Sequence, residues 1–185
     1  WANPEMLHSV TNYELHKGLW SGHNDHNYFE IAHTMRRLQG LCHDTRLYNF
    51  SDNHDVERLP NKLRNREHIR HIALLVYTLW GIPSIYYGSE FGIEGKKECV
   101  FSAQEVTDYT DAEKTNPVTS IYAALGSLKA ECPELSWGEF KELTLTTQSY
   151  AYARVLDGKA IVAVYNNGDS PVSMEFQLPV EASGV

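Results

Sequence analysis

Apolar residues recur along this chain in two rhythms, helical first and strand-like later. Phe29, Ile31, Ala32, Met35 and Leu38 fall at helical spacing up to Gly40, with Arg36 and Arg37 where a helix C-terminus favours cations. From Asn65, a good cap, the residues Ile69, Ile72, Ala73, Val76, Leu79 and Trp80 predict a second helix that stops near Gly81. Asn116-Pro117 opens a third, with Ile121, Leu125 and Leu128 facing inward until Cys132-Pro133. Short strand-like segments precede these helices: Met6 to Tyr13, Arg46 to Phe50, and the apolar run Ile82 to Tyr87, which suits a strand buried on both faces. Strand and helix alternate three times, so a parallel sheet with right-handed crossovers is expected.

Beyond Leu143 the rhythm changes. Thr144 to Val155, Ala160 to Asn166 and Val172 to Leu178 alternate β-branched and aromatic residues and are separated by Asp157-Gly158 and Asn167-Gly168 turns. An antiparallel β module follows, with a boundary between Trp137 and Leu143 that divides the chain into residues 1–140 and 141–185. Phe91 to Thr115 is long, polar and without period, the profile of a functional or disordered loop.

Composition narrows the function classes. At 185 residues the chain is one domain, or one and a small second. Sixteen Lys and Arg against twenty-four Asp and Glu give a net charge of -8, which argues against a nucleic-acid or anionic-lipid surface. No apolar run approaches a membrane span. Cys42, Cys99 and Cys132 fit neither a disulfide framework nor a zinc pattern; read as reduced thiols, they lean toward a cytoplasmic origin without fixing a compartment. The chain opens on Trp1 with no basic-then-apolar leader and reads as a piece of something longer.

Parallel α/β architectures carry their chemistry at strand C-terminal ends, whether in open sheets or eight-fold barrels. No Gly-rich phosphate loop follows any strand, which disfavours nucleotide binding, and no cofactor is indicated. Asn53, His54 and Asp55 crowd after the Arg46 to Phe50 strand and combine an amide, an imidazole and a carboxylate. Such a set can hydrogen-bond a polyhydroxylated ligand and stabilise developing positive charge. A loop that merely caps the next helix has the same composition, so chemistry alone leaves both readings open. The pairs His23 and His26, and His68 and His71, read as solvated turn and helix-face residues rather than metal ligands. Asp108 and Asp111 make a poor calcium site. Tyr86 and Tyr87 read as packing residues of a buried strand. Trp20, Trp80 and Trp137 have the chemistry to stack on sugar rings, with Trp80 on the apolar helix face and so assigned to the core.

Phe50-Ser51-Asp52-Asn53-His54-Asp55, followed by Glu57-Arg58-Leu59, resembles the seventh-strand motif of the α-amylase family, glycoside hydrolase family 13. About thirty residues on, Gly81-Ile82-Pro83-Ser84-Ile85-Tyr86-Tyr87-Gly88-Ser89-Glu90 resembles that family's eighth-strand motif. Val10-Thr11-Asn12-Tyr13 resembles the sixth-strand region, and the final β segment is similar to the family's C-terminal domain. The resemblance implies the last three βα units of a (β/α)8 barrel followed by the start of an antiparallel β-domain.

The same resemblance implies a retaining enzyme acting on α-glucans or maltooligosaccharides. In such enzymes one carboxylate attacks the anomeric carbon and a second, about 5 Å away, protonates the leaving oxygen. Asp55 would be the third carboxylate, binding sugar hydroxyls and favouring the distorted transition state; His54 would bond the same sugar, and Asn53 would shape the turn. Glu90 matches a structural hydrogen-bonding position. The nucleophile and acid belong to the fourth and fifth strands, upstream of these residues, so the chain alone is expected to be inactive. A noncatalytic sugar-binding or accessory subunit with the same barrel is the alternative, against which an intact His54 and Asp55 weigh. A three-strand slice of a barrel leaves unpaired edges, from which self-association is expected.

Overall fold

The computed structural model describes residues 3–42, 44–95 and 116–181. Three short parallel strands, β1 (Ser9–Thr11), β2 (Arg46–Phe50) and β3 (Ile82–Ser84), form one sheet with β2 in the centre. Val10 pairs with Leu47, and Tyr48 with Ile82. Along β2, Leu47, Asn49 and Phe50 are buried while Arg46 and Tyr48 are exposed, and β1 and β3 are at best half-buried. One face of this sheet is therefore covered and the other open. The expectation that Ile82 to Tyr87 forms a strand buried on both faces is corrected: the strand stops at Ser84, and no further strand covers its open face among the described residues.

Two helices, not one, link β1 to β2. The expected strand through Tyr13 is cut short because Asn12 ends it: its backbone N–H still bonds the Tyr48 carbonyl, while its side chain accepts the Leu15 N–H and starts α1 (Tyr13–Asn24). This helix escapes pattern reading because its buried face holds only Leu15 and Leu19 as large apolar residues, the rest being His16, Gly18, Ser21, Gly22 and His23. Helix α2 (Phe29–Cys42) runs through Gly40, and its arginines pair with acids elsewhere, Arg36 with Glu142 and Arg37 with Glu14.

After β2 come a one-turn helix α3 (Leu59–Lys62) and α4 (His68–Thr78). Asn65 caps the turn before α4, accepting the Glu67 N–H, instead of the helix itself. Gly81, between α4 and β3, has φ 133°, and a Cβ there would lie 2.5 Å from the Leu47 carbonyl oxygen. Only glycine fits this reversal. Ser89–Phe91 form a 3-10 turn, and α5 (Pro117–Glu131) starts at the Asn116 cap as expected. Pro133 does not simply end it but opens a further short helix, α6 (Pro133–Trp137).

The antiparallel sheet consists of β4 (Glu139–Leu145), β5 (Ser149–Leu156) and β6 (Lys159–Asn166). The expected Thr144 to Val155 strand is two strands, broken at Thr146–Gln148. Asp157 and Gly158, at φ 48° and 76°, close the β5–β6 hairpin as a two-residue turn whose twist matches the strands. Val172 to Leu178 forms no strand, a second correction: it pairs with no neighbour in the sheet.

Side chains of the two sheets' surroundings share one core. Leu15 and Leu19 of α1, Ile31 and Met35 of α2 and Ile72 and Val76 of α4 pack in the same cluster as Tyr150, Tyr152 and Tyr165. The tyrosine hydroxyls are satisfied internally: Thr78 Oγ1 lies 2.5 Å from the Tyr152 hydroxyl and 2.8 Å from that of Tyr165. Arg154 is buried nearby, without a carboxylate partner among the described residues, and donates to the carbonyls of Thr78, Leu135 and Gly138 at 2.8–3.2 Å. Parallel α/β layer and antiparallel segment together match a partial barrel followed by a β segment.

Candidate active site

The end of β2 places two acids in opposite environments. Asp52 is buried; its Oδ1 accepts the Ser89 hydroxyl at 2.6 Å and that of Ser51 at 3.2 Å, and its Oδ2 accepts the Leu59 N–H at 3.0 Å. It binds the end of β2 to the start of α3 and to the turn after β3. Asp55, three residues on, has a side chain 57% exposed. The chain between them turns on Asn53, whose Oδ1 accepts the Asp55 N–H at 2.9 Å. This Asx turn lifts His54 and Asp55 off the strand end, and the His54 Nε2 lies 3.5 Å from Asp55 Oδ2. The reading of the loop as a helix cap falls to Asp52, not to Asp55.

A residue outside the expected set completes the group. The Tyr13 hydroxyl donates to Asp55 Oδ2 at 3.0 Å and accepts from Asn53 Nδ2 at 3.2 Å, with its ring edge-on to Phe50 at 5.1 Å. Tyr13 is the first residue of α1, so it stands at the C-terminal end of β1 as Asp55 stands at that of β2. The signal for it was Asn12: a cap directly after a strand puts the next side chain at the sheet's functional end. His16, one turn later, stacks on Phe50 at 5.1 Å and donates from Nδ1 to the Ser51 carbonyl, which sets its tautomer; burial lowers its pKa. On the far side Arg58, buried, donates to the Tyr87 carbonyl at 2.7 Å beneath the rings of Tyr86 and Tyr87. The two tyrosines are thus stacking partners of a guanidinium beyond β3, not alternating residues of a buried strand. Glu90 lies in the 3-10 turn, with its Oε2 buried and without a hydrogen-bond partner among the described residues.

The four histidines expected to be solvated instead face one another. His23 and His68 are buried, and the rings of His23, His26, His68 and His71 lie 5.2–5.8 Å apart in four pairs. Burial lowers the pKa of His23 to about 3 and depresses those of His68 and His71. No group of three or more His, Cys, Asp or Glu among the described residues is arranged to hold a metal ion. Asp108, Asp111, Cys99 and most of the long polar loop lie outside the described residues. No helix among the described residues is long and apolar enough to cross a membrane.

Parallel strands with polar groups gathered at their C-terminal ends are the arrangement in which α/β folds carry their chemistry. The family is fixed by comparison: the model of the alpha amylase catalytic domain matches residues 1–129, and the chain belongs to that family. A cyclomaltodextrinase of Thermoanaerobacter pseudethanolicus is 29% identical over 122 residues, 65% of this chain and 21% of that protein. A cyclomaltodextrin glucanotransferase of a Bacillus species (strain 6.6.3) is 26% identical over 127 residues, 68% of this chain and 17% of its own length. Among solved structures, an alpha-amylase from H. orenii superposes with a TM-score of 0.79 at 20% identity, over 90% of this chain and 40% of that one. The chain thus spans about a fifth of the length of the curated relatives it matches.

Proposed function

We propose that these residues are the sixth to eighth βα units of a (β/α)8 barrel, with the start of its C-terminal β-domain, in a retaining enzyme that hydrolyses or transfers α-glucosidic bonds. Asp55 is the third carboxylate of the site, His54 and Asn53 its sugar-binding and turn-forming neighbours. The observation that carries this reading is the exposed Asp55 carboxylate at the end of the central parallel strand, held by Tyr13 while its neighbour Asp52 is consumed in structure. A held but accessible acceptor oxygen is what a sugar hydroxyl requires, because a charge-assisted hydrogen bond is stronger than a neutral one and strengthens further as positive charge develops at the anomeric carbon. The cyclomaltodextrinase and glucanotransferase relatives support an α-glucan or cyclodextrin as the substrate class.

The nucleophile and proton donor come from outside these residues, so the 185-residue chain is inactive by itself. Its turnover on maltooligosaccharides and cyclodextrins, followed by reducing-sugar release, stays at the blank. In the longer polypeptide, Asp55→Asn abolishes release while leaving the melting temperature unchanged. Activity of the isolated chain that is lost on Asp55→Asn, or full activity of the longer Asp55→Asn protein, overturns the reading.

A further inference from the structure

Two buried side-chain amides run in series across the three parallel strands, near the ends that carry Tyr13 and Asp55. Asn12, buried directly after β1, accepts the Leu15 N–H on Oδ1 at 3.0 Å and donates from Nδ2 to Asn49 Oδ1 at 2.9 Å. Asn49, fully buried in β2, donates in turn from Nδ2 to the Trp80 carbonyl at 3.1 Å, just before β3. A backbone N–H at one end and a backbone carbonyl at the other fix both amides, since neither can turn over without opposing two donors or two acceptors. Gly81 belongs to the same arrangement, because a Cβ there would lie 2.7 Å from Asn49 Nδ2.

A hydrocarbon of similar size would fill this place in the sheet at less cost, since burying an amide is unfavourable unless it is paired. The best-attested use of such a buried polar group is to fix register. Here the ladder alone supplies little of it: β1 and β3 have three residues each and pair with β2 at three positions apiece. A slip of one residue would move the end of β1 by about 3.3 Å. The hydroxyl of Tyr13, the residue after Asn12, meets Asp55 Oδ2 at 3.0 Å, a bond that such a slip would break. We propose that Asn49 is a positioning residue of the site. Its amide, in series with that of Asn12, sets the start of α1 against β2 and so holds the Tyr13 hydroxyl on Asp55. The geometric part stands on these contacts, and only its kinetic consequence rests on the function proposed above.

The test has two readouts. The first is NMR of the 185-residue chain with its tyrosines isotope-labelled at Cζ. Asn49→Leu and Asn12→Ser are each expected to shift the Tyr13 signal toward its position in Asp55→Ala, where the bond is absent. Asn49→Leu keeps the shape and removes both amide bonds. Asn12→Ser keeps a capping oxygen for the Leu15 N–H but loses the reach to Asn49, and serves where Asn49→Leu lowers the melting temperature. The second readout is steady-state kinetics of the complete enzyme. The same two variants are expected to lower kcat about threefold to tenfold with KM little changed, and to cost less than about twofold when Tyr13 is already Phe. A Tyr13 signal that keeps its wild-type position in both variants overturns the proposal. So does a kinetic loss as large in Tyr13→Phe as in the wild type, which would leave the amides as support for the sheet alone. Full activity of Asp55→Asn would instead overturn the proposed function, and the Tyr13 signal would still decide the positioning role.

Discussion

Tyr13 and Asp55, forty-two residues apart, share a 3.0 Å hydrogen bond across the ends of two adjacent parallel strands. The donor sits on a helix start fixed by Asn12, and the acceptor on a turn fixed by Asn53, so two short caps set one functional distance. Removing the hydroxyl leaves the carboxylate with its turn but without its lateral support. On the function proposed above, Tyr13→Phe in the complete enzyme is expected to lower kcat/KM roughly tenfold, the scale of one hydrogen bond to a charged group. Asp55→Asn costs far more, and in the double variant Tyr13→Phe adds nothing. Steady-state kinetics of the four proteins form the cycle that checks this.

The histidine cluster predicts acid sensitivity. The folded-state pKa of His23 is about 3 and those of His68 and His71 are depressed, below an unfolded value of about 6.5. A depressed histidine binds its proton first in the unfolded state, so stability is intact above about pH 6.5 and falls as pH drops toward the folded value. At pH 4.5 His23 alone accounts for about 2–3 kcal/mol. The groups facing the cluster include Tyr28, whose hydroxyl lies 3.5 Å from His23 Nε2, and Asp169, whose charge acts on His68. Urea midpoints at pH 7.5 and pH 5 should differ, and His71→Leu should make that difference smaller.

Arg154 predicts a large core effect. Its guanidinium donates to carbonyls of α4, of α6 and of the residue before β4 with no acid partner among the described residues, and burial lowers its pKa to about 10. Arg154→Met keeps the volume and takes a donor from the Thr78 and Gly138 carbonyls, while Leu135 keeps Lys129 Nζ at 2.8 Å, an expected loss of about 3 kcal/mol by urea denaturation. Arg154→Lys recovers only part, because one ammonium cannot span three carbonyls on two fronts.

Open strand edges predict association. β1 and β3 each have one unpaired side among the described residues and are at best half-buried. Sedimentation velocity of the 185-residue chain should show mass rising with concentration. A single monomer boundary at every concentration would contradict this.

Periodicity disclosed the elements whose buried faces are made of large apolar residues. α2, α4 and α5 were legible for that reason, and the Asp157-Gly158 hairpin because two positive φ values demand those residue types. α1 was hidden because histidines, glycines and a serine fill its buried face, which only tertiary packing makes meaningful. The end of β3 was misjudged because Ile85, Tyr86 and Tyr87 are apolar for a different reason: the two tyrosines shelter Arg58. At the site, the motif pointed to Asn53, His54 and Asp55. The division of labour between Asp52 and Asp55 was not readable, since it depends on which carboxylate meets Ser89 and Leu59 in space.

The hydroxyl of Thr78, shared with Tyr152 and Tyr165, has a consequence for how such a chain can be cut and rejoined. The last turn of a barrel helix ends on a polar knot tied by the following sheet, so truncation after α6 would strip that helix of its partners and expose threonine and aromatic surface together. Any chimera that exchanges the barrel units must carry β5 and β6 with them, and shuffling is expected to succeed only at crossovers beyond Asn166.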